Sequence, residues 1–241
     1  MKIKGRNKWK LYLALKKNKK LRPYLVPTKK WSKNNFEYML SKYQSIVVKP
    51  NKGLKANDIY FISKIDSGYE IQIYEKKNYF STRQEAYKFM KKTLKDVANI
   101  IQKRIDIAKI DGRPFDFRVI IQRKTLSSPW TATAYKVRVA GKGRMVTNAS
   151  KGGHLLTFKE AMEKRAVPGD KMEQLIEHIK YVSVTAAKAL NAYYPKKRLY
   201  GIDIGMMNDE SLHIFEINRK PLLKGFTKKH QKMIKRFRKG G

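Results

Sequence analysis

Two short apolar runs joined by a polar turn constrain the fold of this chain more than any other feature. The runs read GIDIGM and LHIFEIN, and the residues between them, MNDES, are typical of a turn. Asp203 lies on the first run, and Glu216 and Asn218 lie on the second. The pattern predicts a pair of antiparallel strands that carry carboxylates although they otherwise read as buried.

The spacing of these polar residues indicates a shared chemistry. Glu216 and Asn218 are two residues apart on one strand, so their side chains leave the same face, and Asp203 can lie across from them. Oxygen ligands of this kind suit Mg²⁺ or Mn²⁺ rather than zinc, and magnesium usually comes with nucleotide phosphates. The alternative is that Asp203 and Glu216 pair with some of the many lysines.

Carboxylates are scarce in this chain, so the presence of Asp203 and Glu216 on two apolar strands is unusual. The chain has 56 Lys and Arg against 19 Asp and Glu, a formal charge of +37. Residues 1–36 contain 13 basic residues and no acid, and the last sixteen residues contain seven and no acid. Such a field attracts polyanions, including nucleic acid, nucleotides and anionic lipid. The alternative is a solvated basic surface with weak, nonspecific binding.

Composition excludes several classes of protein. With 241 residues and 41% hydrophobic residues, the chain is long and apolar enough for a globular core. It has no cysteine, which excludes disulfides, thiolate metal sites and a cysteine nucleophile. No apolar run approaches the roughly 20 residues of a membrane span, and no signal peptide is present. The expectation is a soluble, cytoplasmic protein.

Strands and helices are predicted to alternate along the chain, which gives an α+β fold with mainly antiparallel sheets. Residues 9–20 read as a helix, RPYLVPT as an extended connector and SIVVKP as a strand. Ser32 caps a helix to about Tyr43, and Ser67 and Gly68 form the turn of a hairpin. Further elements are a helix from Thr82 to about Ile101 that buries Val97, strands in FDFRVIIQRK and WTATAYKVRVAGKGRMVTN, and a helix over 171–192.

Five segments, in their order along the chain, resemble ATP-grasp proteins, most of all the endospore-coat-associated YheC/YheD-type branch. They are LRPYLVPT, IVVKPNKG, IIQKRIDIAKIDGRPFDFRVIIQ, RVAGKGRMVTNASKGG and GIDIGMMNDESLHIFEINRKP, and the resemblance covers about residues 7–225. It implies two α+β subdomains that hold ATP between them. The implied boundaries are 1–30 for a basic N-terminal helix and connector, 31–100 and 101–225 for the N- and C-terminal subdomains, and 226–241 for a basic tail.

The resemblance also implies roles for individual residues. Lys49 corresponds to a lysine on the nucleotide phosphates and Lys8 to a second one, although Lys10 could take its place; an ordinary surface lysine is the alternative for each. The expected metal ligands, for Mg²⁺ or Mn²⁺, are Asp203, Glu216 and Asn218. The other expected contacts are Gln102, Lys103 and Ile105 at the adenine, Asp106 and Asp116 at the ribose and phosphates, and Arg118, Arg138 and Asn148 at the reacting phosphoryl group. A structural salt bridge is the alternative for Asp116 and Arg118.

The implied activity is an ATP- and Mg²⁺-dependent carboxylate–amine ligase. It would form an amide through an acyl phosphate, on an acidic, peptide or polyanionic substrate. The alternative is a non-catalytic or weakly active ATP-grasp scaffold that binds a polyanion, nucleic acid or a spore-type assembly.

Three features depart from the family pattern. The loop KPNKGLKANDI has Ala56 and Asp58 where glycines are expected, which bears on its closure over ATP. The resemblance implies that the N-terminal domain of relatives is missing here or reduced to a helix, and the charge exceeds what a small substrate is expected to need. An acidic protein or peptide substrate, or a second subunit that supplies the missing domain, would account for the last two. The tail FTKKHQKMIKRFRKGG either docks on an anionic surface or is disordered, and spore association is the alternative location.

Overall fold

The computed structural model describes residues 3, 5–53, 58–95, 97–147 and 152–239. The chain divides into two compact units. One contains residues 3–12 and 26–105, and the other contains residues 13–25 and those from 106 onward. No helix among the described residues is long and apolar enough to cross a membrane.

The first unit is built on a six-stranded sheet in the order β1-β6-β2-β3-β4-β5, with every neighbouring pair antiparallel. Its strands are β1 (Thr28–Lys30), β2 (Ser45–Pro50), β3 (Tyr60–Ile65), β4 (Gly68–Ile73), β5 (Lys76–Phe80) and β6 (Asn99–Lys103). Helices α2 (Lys33–Lys42) and α3 (Arg83–Leu94) pack with it. The shared core contains Phe36, Met39, Leu40, Ile46, Val48, Ile62, Ile71, Ala86 and Met90.

Local capping signals set the starts of both helices. The side chain of Ser32 accepts from the N–H of Asn35 at the start of α2, as predicted. Thr82 and Glu85 form a capping box at the start of α3. The predicted strand SIVVKP and the hairpin at Ser67–Gly68 are also confirmed, as β2 and the β3–β4 pair.

The prediction that α3 continues to about Ile101 is wrong. The helix ends at Leu94, where Lys95 adopts a φ of 49° that a helix cannot continue. The chain then enters β6, because the run containing Ile100 and Ile101 is β-branched and favours a strand. Val97, expected to be buried, is 56% exposed.

The N-terminal segment forms α1 (Lys8–Lys16) and then a 3-10 helix (Lys19–Tyr24). The side chain of Asn18 accepts from the N–H of Lys20 and so starts the tighter turn. The predicted extended connector RPYLVPT is therefore wrong in its first half, since Pro23 lies inside the 3-10 helix. The predicted helix over 9–20 is shorter than expected for the same reason.

The second unit contains a sheet in the order β10-β9-β8-β11-β12, with β7 paired to the start of β8. Its strands are β7 (Lys109–Ile110), β8 (Arg113–Gln122), β9 (Thr131–Val139), β10 (His154–Leu156), β11 (Leu199–Met206) and β12 (Leu212–Asn218). Its helices are α4 (Phe158–Glu163), α5 (Gly169–Ala189) and α6 (Lys228–Lys239). Helix α5 packs on β8, β9 and β11, α4 packs on β9, and α6 also packs on β9.

Candidate functional site

The β11–β12 hairpin brings together the three residues that the sequence singled out. In its register Asp203 lies opposite Glu216, and Gly201 lies opposite Asn218. Opposed residues of antiparallel strands share a face. Asp203, Glu216 and Asn218 therefore lie on one face of the second sheet, as the alternation of the sequence predicted.

A β-bulge in β12 adds a residue to this face. Ile204 pairs with Ile214 and Asp203 pairs with Glu216, so Phe215 is the extra residue. The burial pattern agrees, because Leu212, Ile214 and Ile217 are buried while His213, Phe215, Glu216 and Asn218 are all half-buried. Phe215 and Glu216 therefore leave the strand toward the same side.

Gly205 makes room for the aromatic ring of the bulge. A Cβ atom at Gly205 would overlap the ring of Phe215. Because Gly205 also pairs with Asp116 of β8, the ring covers the sheet next to that carboxylate. The glycine is required here for close approach rather than for a turn.

Strands β8 and β9 complete the charged face with two arginines and a second carboxylate. Arg118 lies opposite Asp203, and Asp116 lies opposite Arg138. Arg118 donates to both oxygens of Asp203 through Nε and through Nη2, the latter at 2.9 Å. Nη2 of Arg138 reaches Asp203 Oδ2 at 3.0 Å. Arg138 also donates to both oxygens of Asp116 at 2.6 Å, and Thr147 donates to Asp116 as well.

The two buried carboxyl groups differ in how strongly they are held ionised. Burial by itself raises the pKa of both. At Asp203 the charges of Arg138 and Arg118 outweigh burial, and its pKa falls below the ordinary value. Asp116 has one arginine and the neighbouring charge of Asp203, and its pKa is raised. Asp203 is therefore the stable anion of this face.

Lys136 is a further cation on this face, opposite Arg118 in the register of β8 and β9. Burial, together with the charges of Arg118 and Arg138, lowers the pKa of Lys136 to about 8. Its Nζ donates to the carbonyl oxygen of Lys224 at 2.5 Å and lies 4.3 Å from the ring centre of Phe226. The segment after β12 therefore holds this lysine beside the arginines.

The residues present fit a magnesium ion that is completed by other ligands. No three His, Asp or Glu side chains of the described residues form a metal-binding group. Asp203 is already bound by two arginines, whereas the side chains of Glu216 and Asn218 have no hydrogen bond or ion pair to a described residue. Mg²⁺ usually takes one or two protein carboxylates and substrate phosphates. Glu216 and Asn218, with Asp203 beside them, are such a partial set of oxygen ligands.

The residues expected at the nucleotide lie mainly in the first unit. Lys49 and Gln102 share one face of its sheet, since Val47, two residues before Lys49, pairs with Gln102. The side chain of Gln102 donates to Thr28 Oγ1 at 2.8 Å. Lys8 donates to the carbonyl oxygens of Pro50 at 3.0 Å and Gly53 at 2.9 Å, so it contacts the loop that follows Lys49.

The predicted adenine segment covers the end of β6 and the two residues after it. The side-chain Nζ of Lys103 lies 5.6 Å from the ring centre of Tyr43. The backbone N–H of Lys103 donates to the carbonyl oxygen of Pro27, so both groups of Lys103 contact other residues of the first unit. The N–H of Ile105 makes no backbone hydrogen bond to a described residue. Asp106 is exposed and begins the part of the chain that belongs to the second unit. Contact of these residues with adenine and ribose stays a prediction.

Two positions singled out in the sequence lie outside the described residues, namely Asn148 and Ala56. Asp58, the other residue in the glycine-poor loop, is exposed and has a φ of 53°. This is the left-handed region that glycine adopts readily, so Asp58 takes a glycine-like backbone conformation at a position where the resemblance predicts glycine.

The family model for YheC/D-like ATP-grasp proteins matches residues 2–240. The chain belongs to this family. The ATP-grasp fold was predicted from the five segments, and it is confirmed, as are the mainly antiparallel sheets.

Relatives of this ATP-grasp chain are distant and longer. The endospore coat-associated protein YheD of Bacillus subtilis (strain 168) is 25% identical over 225 residues, which are 89% of this chain and 48% of YheD. YheC of the same organism, also endospore coat-associated, is 24% identical over 220 residues, 89% of this chain and 60% of YheC. This chain thus spans about half to three fifths of the length of these two curated relatives.

Among solved structures, the D-alanine–D-alanine ligase of Coxiella burnetii matches with a TM-score of 0.56 at 12% identity. The match covers 96% of this chain and 52% of the ligase. At such low identity the likeness shows the ATP-grasp fold alone.

Sequence reasoning missed several residues that shape this face. Thr147 and Lys136 were not singled out, because Thr147 reaches Asp116 from the loop after β9 and Lys136 is bonded to Lys224 in the segment after β12. The alternation of KVR would have placed Lys136 beside Arg138, which was a usable signal. Phe215 and Gly205 had no such signal, since the bulge shifts the alternation by one residue.

Proposed function

We propose that this chain is an ATP- and Mg²⁺-dependent carboxylate–amine ligase. The observation that carries the proposal is that one face of the second sheet holds both a neutralised carboxylate and unengaged side-chain oxygens. Asp203 is neutralised by Arg118 and Arg138, while Glu216 and Asn218 keep oxygens that are not engaged by described residues. Such a face supplies fixed cations for a phosphoryl group and open oxygen ligands for its counterion.

The proposed reaction proceeds in two steps, phosphorylation of a carboxylate and then attack by an amine. A substrate carboxylate oxygen attacks the γ-phosphorus of ATP, which gives an acyl phosphate and ADP. An amine then attacks the acyl carbon, phosphate leaves, and the amine nitrogen loses a proton as the amide forms. Bound Mg²⁺ would supply charge neutralisation on the phosphates. The chain itself would position the reactants and hold positive charge near them.

In this proposal Arg118 and Arg138 stabilise negative charge without moving from the positions that they hold in the structure. Arg138 already lies between Asp116 and Asp203, with hydrogen bonds that fix its guanidinium. A cation fixed before the reaction stabilises developing negative charge more than one that must be drawn from solvent. Arg118, Arg138 and Asn148 are the proposed residues at the reacting group, and Lys8, Lys49 and Asp116 are proposed at the nucleotide.

The substrate class follows from charge. Lys136 lies beside the two arginines, and the whole chain carries +37. We infer an acidic, peptide or polyanionic acceptor or acid, since an anionic molecule gains the most from this field. A second subunit that supplies the N-terminal domain expected from the family resemblance is the proposed source of additional substrate contacts.

The test is calorimetric binding of ATP to the wild-type chain with and without Mg²⁺, and to Glu216→Gln. The wild type should show Mg²⁺-dependent binding that Glu216→Gln lowers at least tenfold, because one metal ligand loses its charge. The matched control is Glu173→Gln, which removes the same charge from an exposed position of α5. It should bind as the wild type does.

Absence of Mg²⁺-dependent binding to a folded wild-type chain at millimolar ATP would end the proposal. If binding is present, release of ADP is then measured with panels of acids and amines. A folded chain that binds Mg²⁺ and ATP but releases ADP with no acid–amine pair would favour the scaffold alternative.

A further inference from the structure

The C-terminal segment is an ordered helix, although its sequence reads as a basic tail. Thr227 begins α6, since its carbonyl accepts from the N–H of Gln231 at 2.9 Å and its Oγ1 accepts from the N–H of His230 at 3.3 Å. The side chain of Gln231 donates to the carbonyl of Phe226 at 2.8 Å. The helix therefore has a defined start and a fixed preceding turn.

The apolar side of α6 is covered by the second sheet. Phe226 and Ile234 are 5% and 3% exposed and pack on Ile120 and Ala134. The buried side chain of Gln122 donates to the carbonyl of Ile234 at 3.3 Å. These contacts fix the helix on the sheet and bury Phe226 and Ile234, whereas Met233 stays 38% exposed.

The exposed side of α6 is mainly basic, and Gln231 and Met233 are also exposed on it. At 3.6 residues per turn its exposed cations fall within roughly half of the helix circumference, and no acidic residue lies on the helix. None of these cations forms an ion pair with a described residue, and exposed Lys124, 5.7 Å from the ring centre of Phe237, extends the surface. We call this surface the α6 face; its helical members are Lys228, Lys229, Lys232, Lys235, Arg236 and Arg238.

We propose that the α6 face binds the phosphate backbone of nucleic acid. A polyanion with regularly spaced phosphates complements a surface of cations without acids. A lipid surface fits less well, because Phe226 and Ile234 are buried against Ile120 and Ala134 and the exposed Met233 alone is too small an apolar face to enter it. An acidic protein fits less well too, since protein interfaces rely on exposed apolar or aromatic anchors. This binding is separate from the proposed ligase activity and implies no reading of base sequence.

The experiment measures binding of the full chain to a fluorescent 20-base-pair DNA duplex by anisotropy over a series of salt concentrations. The variant carries Lys228→Gln, Lys232→Gln, Lys235→Gln and Arg236→Gln together. If each removed cation releases one phosphate contact, the slope of log K against log salt should fall by about 3 to 4. Affinity at about 100 mM salt should fall more than tenfold.

The matched control removes the same four charges from exposed positions of α3, by Arg83→Gln, Lys88→Gln, Lys91→Gln and Lys92→Gln. It should keep most of the affinity and of the salt slope. Equal losses in the two variants would overturn the proposal, because binding would then follow total charge. So would retention of wild-type binding by the α6 variant, with folding of each variant checked by circular dichroism.

Two further probes decide between classes of partner. Polyglutamate and vesicles of phosphatidylserine and phosphatidylcholine are titrated under the same conditions. The proposal expects the duplex to bind at least tenfold more tightly than polyglutamate, with no α6-dependent binding to vesicles. Polyglutamate binding as tight as that of DNA, or vesicle binding lost in the α6 variant, would overturn it. Calorimetric ATP binding is unaffected by either result, so this proposal and the ligase proposal fail separately.

Discussion

Asp203 and Glu216 are paired across β11 and β12, yet their side chains differ in burial and in the contacts that they make. Asp203 is buried and receives both side-chain bonds of Arg118 and one of Arg138. Glu216 is half-buried and engages no described side chain. One carboxylate is therefore part of the fold, and the other is available for a ligand.

Replacing these two carboxylates should separate stability from binding. Asp203→Asn should lower the free energy of unfolding by about 3 kcal/mol, because the partly buried Arg118 loses its carboxylate partner and Arg138 keeps only Asp116. Glu216→Gln should change it by less than about 0.5 kcal/mol. Urea unfolding at pH 7 measures both, and similar losses would contradict the distinction.

The same comparison has a defined pH dependence. The folded-state pKa of Asp203 lies below its ordinary value of 3.8, so its stabilising contribution is complete above that value. The contribution is lost as the pH falls through the lower, folded-state pKa. The stability difference between wild type and Asp203→Asn should therefore stay constant above about pH 5 and shrink in stronger acid.

Gly205 can be tested through the aromatic ring that covers it. Gly205→Ala should displace the Phe215 ring and cost about 1 to 3 kcal/mol of stability by overpacking. It should also weaken Mg²⁺-dependent ATP binding, because Phe215 and Glu216 share the bulge. Gly169→Ala is the control, since a Cβ there meets no atom within 4 Å. Calorimetry and thermal unfolding measure the two effects, and an unchanged melting temperature in Gly205→Ala would contradict the overlap.

At the scale of elements, local signals predicted the starts of helices and failed at their ends. Ser32 and the Thr82–Glu85 box identify helix starts because the caps are local hydrogen bonds. The end of α3 depends on the pairing of the following residues with the sheet, since β6 lies between β1 and β2 and bonds to both. This pairing is a tertiary interaction, so the helical periodicity of residues 82–101 gives no information about it.

The candidate site shows the same limit. Alternation correctly placed Glu216 with Asn218, and Asp116 with Arg118, on common faces. The double engagement of Asp203 arises from the strand order β9-β8-β11, which brings arginines from two strands to one carboxylate. Strand order is a property of the assembled sheet, so no local spacing could have predicted that Asp203 would be neutralised.

The docking of α6 should weaken in mild acid through His230. Burial lowers the pKa of His230 below its ordinary value of 6.5, and the charge of Lys229 lowers it further; Tyr135 and Phe226 are its ring neighbours. The unfolded segment then binds a proton more readily than the docked one, so docking loses free energy as the pH falls below 6.5.

Hydrogen exchange of α6 measures this effect after correction for intrinsic rates. Protection should decrease severalfold between pH 7 and pH 5 in the wild type. His230→Gln cannot take up that proton and should show a flatter profile. An equally steep profile in the variant would assign the acid sensitivity to other groups.

At the scale of the whole molecule, the charge of +37 repels itself. Salt screens this repulsion over about 10 Å at 0.1 M. The melting temperature should therefore rise by several degrees between about 10 mM and about 300 mM NaCl. Combining the four α6 substitutions with the four α3 substitutions lowers the formal charge from 37 to 37 − 8 = 29 and should reduce the salt effect. A melting temperature that is insensitive to salt in both proteins would contradict this view.

The separate roles of Asp203 and its neighbours determine how this chain can change over generations. A lineage that loses Asp203, Arg118 or Arg138 breaks the ion-pair network of this face, so its copies lose stability whatever their activity. A lineage that loses Glu216 or Asn218 keeps a stable sheet and forfeits only its open oxygens. Under the proposed ligase function, a descendant that has lost the activity would show changes at these two positions of β12 while the arginines beside them persist.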